Sequence, residues 1–190
     1  MTAFTLDLTS INMGDEQFFQ LCQDNRNLRF ERNARGDLLI MSPTGGETSN
    51  RNAELNFQLF RWNKQSQLGV VFDSSGGFKL PSGADRSPDA AWIPLERWQG
   101  LTPDEKKGFL PLCPDFAIEL GSPSDRLTTI QEKMEEYIAN GTRLGWLIIP
   151  RSRQVEIYRP DGEVERLNDP DRVSGDDVLP GFTLDLRSIW

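Results

Sequence analysis

Asp115-Phe116-Ala117-Ile118-Glu119-Leu120-Gly121-Ser122-Pro123-Ser124 is the most informative run of this chain. Side chains alternate across a strand, so Phe116, Ile118 and Leu120 share one face while Ala117 and Glu119 share the other. A strand apolar on both faces belongs inside a sheet that is covered on each side. The Gly/Ser/Pro turn that follows ends the strand just beyond Glu119. A carboxylate therefore stands at the C-terminal end of a core strand, where it needs a cation, a set of donors or a proton.

Helical and extended patterns alternate outward from this strand. Downstream, Leu127, Ile130, Met134, Tyr137 and Ile138 recur at helical spacing. Asp125 or Thr128 is placed to cap that helix, and Gly141 to end it. Residues 144–149 read as a central strand, and residues 155–159 as an edge hairpin strand turning at Asp161-Gly162. Upstream, residues 15–25 read as a helix, and residues 28–31 and 37–41 as a hairpin around Asn33-Ala34-Arg35-Gly36. Leu55, Leu59 and Trp62 mark a helix over residues 47–67. Strands are expected over residues 70–73, 77–80 and 89–93, and Thr102-Pro103-Asp104-Glu105 reads as a helix start. Phe4-Thr5-Leu6-Asp7-Leu8 recurs as Phe182-Thr183-Leu184-Asp185-Leu186, which reads as two amphipathic end-strands rather than a solenoid repeat. The pattern predicts an α/β (α+β) fold with a central mixed β-sheet flanked by helices.

Composition narrows the chemistry. The chain has 190 residues, a size for one domain, and no apolar run approaches a membrane span. The N-terminus lacks the basic and apolar regions of a signal peptide, which makes the cytoplasm the expected location. There is no histidine, and Cys22 and Cys113 stand far apart. That excludes His-based triads, imidazole bases and the usual zinc sites. Both cysteines read as small buried hydrophobes. The net charge of −8 argues against a broad basic face for nucleic acid, although a local groove can still be basic.

Two further residues join Glu119. Asp89 follows Pro88 and precedes the apolar run Ala90-Ala91-Trp92-Ile93. Lys133 falls on the flank of its helix's apolar stripe, where a long side chain can lift its ammonium to a strand end. Each has a plainer reading: a rim Glu paired with Arg, a turn Asp, a solvated Lys. Together, Pro-Asp, a strand Glu and a lysine suggest a metal-nuclease constellation. Two carboxylates would hold Mg (or Mn), and the lysine would assist the attacking water.

Several stretches make the resemblance specific. They are Ser87-Pro88-Asp89-Ala90-Ala91-Trp92, the run from Cys113 to Asp125, then Lys133 and Tyr137, and Gly141 to Pro150. Gly36 to Pro43 and Leu179 to Leu186 join them. The chain resembles the Uma-type family of bacterial endonucleases, within the PD-(D/E)XK, restriction-endonuclease-like superfamily. The resemblance implies a single domain over residues 1–190, with residues 1–26 as a strand/helix extension and 27–190 as the nuclease-like core. It implies Mg-dependent phosphodiester hydrolysis of nucleic acid, with DNA as the expected partner, and it allows a homodimer. Asp89 and Glu119 resemble the metal ligands. The superfamily's lysine position is Gly121 here, which implies migration of the lysine to Lys133. Glu47 resembles the acid at the start of the first sheet-covering helix, with Glu54 as a rival and a plain helix-dipole role as the alternative. Members often carry a histidine after that acid; this chain has Thr48. Arg51, Arg61, Lys64, Lys79 and Arg86 are the expected phosphate contacts. The alternative is a catalytically inactive nuclease-fold binding or interaction module.

Overall fold

The computed structural model of the chain describes residues 3–8, 10–11, 13–41, 43–160 and 162–190. Asp161, half of the expected Asp161-Gly162 turn, lies outside them.

Phe116–Leu120 forms β8 and is buried at every position. It lies between antiparallel β7 (Ala90–Pro94) and parallel β9 (Leu144–Ile149). A parallel pair needs a crossover, and α4 (Leu127–Ala139) supplies it. β4 (Gly69–Asp73), β10 (Gln154–Tyr158) and β11 (Glu165–Asn168) complete a six-stranded mixed sheet in the order β11-β10-β9-β8-β7-β4. Helix α2 (Gly46–Ser66) sets Leu55 and Leu59 against Phe116, Ile118 and Leu120. Helix α4 sets Met134 and Tyr137 against Ala91, Ala117 and Leu147 on the other face. A central mixed sheet flanked by helices is the architecture expected from the alternating pattern.

A second sheet forms one wall of the site. Its order is β1 (Ala3–Leu6), β3 (Leu38–Met41), β2 (Arg29–Arg32), β6 (Asp85–Arg86) and β5 (Phe78–Lys79). Helix α1 (Asp15–Asp24) buries Phe18 against Phe30 and Leu38, and Arg32 ties it down through Asp15 and the Met13 carbonyl. The chain leaves this sheet at β6 and enters the large one at β7, so Ser87-Pro88-Asp89 connects the two. Asp89 is thereby placed at a junction rather than within a strand.

Three expectations give way. β10 pairs with both β9 and β11, so it is not an edge; the edge is β11, too polar to announce itself. Helix α3 (Leu95–Gly100) starts directly after β7, earlier than the Thr102-Pro103-Asp104-Glu105 signal. That signal makes a reciprocal Thr102–Glu105 cap on a single 3-10 turn. Helix α4 begins after Arg126 with no side-chain cap, because the Asp125 carboxylate accepts the Ser122 N–H at 2.8 Å and stabilises the preceding turn. The repeated pentapeptide contributes to β1 and to β13 (Thr183–Asp185), which pairs with β12 (Arg172–Ser174) in a separate two-stranded sheet. Among the described residues, no helix is long and apolar enough to cross a membrane.

Candidate active site

Ala90, the first residue of β7, pairs with Ile118 in the antiparallel β7–β8 register, so Asp89 enters β7 beside the Glu119 end of β8. The Leu120 N–H donates to Asp89 Oδ2 at 2.9 Å and closes the junction onto β8. Asn56 on α2 fixes the Asp89 carbonyl at 3.0 Å, while Asn52 reaches Oδ1 only at 3.5 Å, the weak limit of a hydrogen bond. Both carboxylates are buried, with Asp89 9% and Glu119 8% exposed.

Lys133 comes over this pair from α4. Its Nζ stands 2.8 Å from Glu119 Oε1 and donates to Glu31 Oε1 at 2.8 Å. Tyr137, one helical turn on, donates its hydroxyl to Glu119 Oε1 at 3.0 Å. Residues i and i+4 share a helix face, which is why both reach the same oxygen. Arg86 donates to Glu31 Oε2 at 3.0 Å and to Glu136 Oε2 at 2.6 Å.

Burial dominates the electrostatics. It pushes the Glu119 carboxyl up to about 7; the Asp89 and Glu31 charges push the same way, and Lys133 only partly offsets them. Burial also raises Asp89, against the opposing Leu120 N–H. Burial likewise works against ionised Glu31, but Lys133, Arg86 and the Ser87 N–H outweigh it and hold that carboxyl at about 2. Burial would depress Lys133, yet Glu119 and Glu31 outweigh it and keep the ammonium charged.

A cavity of about 430 Å³ opens onto this group. Arg29, Glu31, Asp89, Glu119, Arg126 and Lys133 are among its lining residues. Among the described residues, Glu119 Oε2 accepts no hydrogen bond, and Asp89 Oδ1 has only the long Asn52 contact. One oxygen of each carboxylate is therefore left for a ligand. No group of three or more acidic or cysteine side chains converges as metal ligands among the described residues. Two hard oxygens suit Mg²⁺, which is held by one or two carboxylates together with substrate phosphates and water rather than in an all-protein cage. The donor set fits such an ion.

The structure thus brings Asp89, Glu119 and Lys133 together. Glu47 lies apart: its side chain is 73% exposed and pairs with Arg51, although Thr44 and Thr48 beside it line the cavity. Glu54 accepts from Gln58 one turn on along α2 and from Ser188 of the C-terminal segment. The expected phosphate contacts need correction. Arg86 is buried between Glu31 and Glu136, Lys79 pairs with Asp15 and Asp85, and Arg51 donates to the Ile189 carbonyl. Arg29 and Arg126 line the cavity instead. Glu31 was not foreseen. Its only sequence signal is an acid alternating with Phe30 in a short strand, which is equally the mark of a solvated edge.

A family model described as "Uma2: Putative restriction endonuclease" matches residues 15–187. A crystal structure described as a "putative nuclease belonging to DUF820", from Anabaena variabilis ATCC 29413, superposes with a TM-score of 0.72 at 22% identity. The match covers 84% of this chain and 88% of that one, and it establishes a restriction-endonuclease-like fold. No protein of curated function matches the chain.

Proposed function

The chain belongs to the Uma2 family, and from that membership we propose that it is a metal-dependent endonuclease acting on nucleic acid, DNA first. The observation that carries this reading is the convergence of Asp89, Glu119 and Lys133 on one cavity, with the Lys133 ammonium 2.8 Å from Glu119. Asp89 Oδ1 and Glu119 Oε2 are the oxygens that would hold Mg²⁺ or Mn²⁺. Such an ion supplies an acidified water and charge relief at a phosphoryl oxygen. Lys133 adds a compact positive charge that orients the attacking water and offsets charge developing on the phosphate. Tyr137 and the Leu120 N–H hold the two carboxylates in place, which leaves their remaining oxygens aimed at the cavity. Arg29 and Arg126 offer phosphate contacts at the walls. Glu47 enters as a rim acid, tested by Glu47→Gln. A two-fold homodimer would let two sites address both strands of a duplex.

The test is cleavage of single- and double-stranded DNA and RNA with Mg²⁺ or with chelator, alongside Asp89→Asn and Glu119→Gln. Cleavage that needs Mg²⁺ and both acids supports the reading. Binding without cleavage by the wild type would sink it in favour of an inactive binding module.

A further inference from the structure

Glu31 is 2% exposed, and nothing in the proposed hydrolysis uses it. It lies on β2 of the five-stranded sheet, yet its partners belong to other elements. Oε1 accepts from Lys133 on α4 at 2.8 Å and from the Ser87 N–H at 3.0 Å. Oε2 accepts from Arg86 on β6 at 3.0 Å. Arg86 in turn reaches Glu136, on the helical turn after Lys133. One carboxylate therefore braces the lysine and the connector two residues before Asp89, while Arg86 ties it to the same helix a second time through Glu136.

We infer that Glu31 is the positioning residue of this site, holding the Lys133 ammonium in place when a divalent cation occupies Glu119 and Asp89. The inference rests on the nuclease reading of those two acids. In the absence of a cation, Lys133 has two carboxylate partners, Glu31 and Glu119. A cation on Glu119 takes up that carboxylate's charge and repels the ammonium beside it. A lysine anchored by Glu119 alone would then gain by swinging out along its flexible stem. Glu31 removes that option, because its charge stays with Lys133 and its other oxygen is neutralised by Arg86. Its bond to the Ser87 N–H fixes the Asp89 connector against the same anchor.

The test observes the lysine itself. The chain has five lysines, so ¹⁵N-lysine labelling gives a small set of ammonium NMR signals, with that of Lys133 assigned by its loss in Lys133→Arg. In the wild type, a protected Lys133 signal should shift on addition of Mg²⁺ and persist. In Glu31→Gln it should be present without Mg²⁺ and fall several-fold in intensity with it. A signal that survives Mg²⁺ in Glu31→Gln as in the wild type overturns the inference and leaves the nuclease reading standing. A wild-type signal unmoved by saturating Mg²⁺ means that no cation reaches the site, which removes the nuclease reading and the inference with it. Should Glu31→Gln fail to fold, Glu119→Gln carries the test. Lys133 must remain protected there on Glu31 alone, and loss of its signal overturns the inference.

Discussion

The Lys133 ammonium lies 2.8 Å from Glu119 Oε1, at the point where β8 ends and the chain turns toward the helix that carries the lysine. In a motif of strand acid followed by lysine two residues later, both groups would sit on one strand. Here Gly121 occupies the second place, and its N–H extends the β8–β9 ladder to the Ile148 carbonyl at 2.8 Å. The same charge arrives from α4 instead, which makes helix packing part of the site's geometry.

Lys133→Ala is expected to abolish cleavage, and Lys133→Arg to impair it strongly, because a planar guanidinium does not replace a compact ammonium between two carboxylates. Leaving Glu31 and Glu119 without their shared cation should also lower stability, by about 3–5 kcal/mol for a broken buried pair. Gly121 follows the alternation of Ala117 and Glu119, and a Cβ there meets nothing closer than 3.4 Å. The double variant Lys133→Ala/Gly121→Lys is therefore expected to recover part of the lost rate. Wild-type cleavage by Lys133→Ala would remove the lysine from the mechanism.

Stability in chelator should carry a pH signature from Glu119. Burial raises its carboxyl from 4.5 to about 7 in the folded chain, so the folded state keeps a proton that the unfolded state has released. Stability falls with rising pH wherever the folded state binds more protons. The loss should develop between pH 4.5 and about 7 and then level off. Glu31, held at about 2, acts oppositely: its contribution is present above 4.5 and fades as pH falls through 2. In denaturant melts across pH 4–8, the stability gap between Glu119→Gln and wild type should therefore grow through the first window. A pH-independent gap would contradict the raised carboxyl.

The three central residues were legible because each breaks a local pattern. Glu119 interrupts an apolar alternation, Asp89 stands at the mouth of an apolar run, and Lys133 falls on a helix flank. Glu31 breaks no pattern, since Arg29-Phe30-Glu31-Arg32 is what a half-solvated strand looks like. Its role comes from Lys133 and Ser87, far along the chain, and is set by how the small sheet docks on α4. Arg86 is hidden for the same reason: between two expected strands and next to Asp89 it reads as a rim cation, and its burial is balanced by Glu31 and Glu136 from distant elements. β10 looked like an edge because β11, its outer neighbour, is mostly exposed and pairs through its backbone.

Binding should depend on salt through few phosphate contacts. The chain carries −8 overall, and several cations once expected at the surface are committed to internal pairs. Arg126 and Arg29, one of whose guanidinium nitrogens donates to the Ser74 carbonyl at 2.6 Å, stand at the cavity wall. Each phosphate contact contributes about 0.9 to the slope of log K against log salt on duplex DNA, and about 0.7 on single strands. Arg29→Ala and Arg126→Ala should each reduce the measured slope by about 1. An affinity indifferent to salt in the wild type would argue against phosphate recognition at this site.

Metal should stabilise the fold, and the effect should run through Glu119. Asp89 and Glu119 are buried at one strand junction and repel, as burial gives their charges little screening. A divalent ion that binds only the folded arrangement raises stability by RT ln(1 + [L]/Kd), about 2.7 kcal/mol at a concentration of 100 Kd. Wild-type protein in Mg²⁺ or Mn²⁺ should therefore melt several degrees higher than in chelator. Glu119→Gln keeps the acceptor for Tyr137 and Lys133 but loses one of the two ligand charges, so most of that increment should vanish. In chelator near pH 8, the same variant should melt at or above the wild type, because a buried charge crowded by Asp89 and Glu31 has been removed. If Glu119 were only a structural partner of Lys133, the signs would reverse: the variant would be destabilised and metal would shift neither protein. Four melts, two proteins with and without Mg²⁺, separate these cases without a substrate. A metal-indifferent wild type beside a destabilised variant would end the nuclease assignment for this chain.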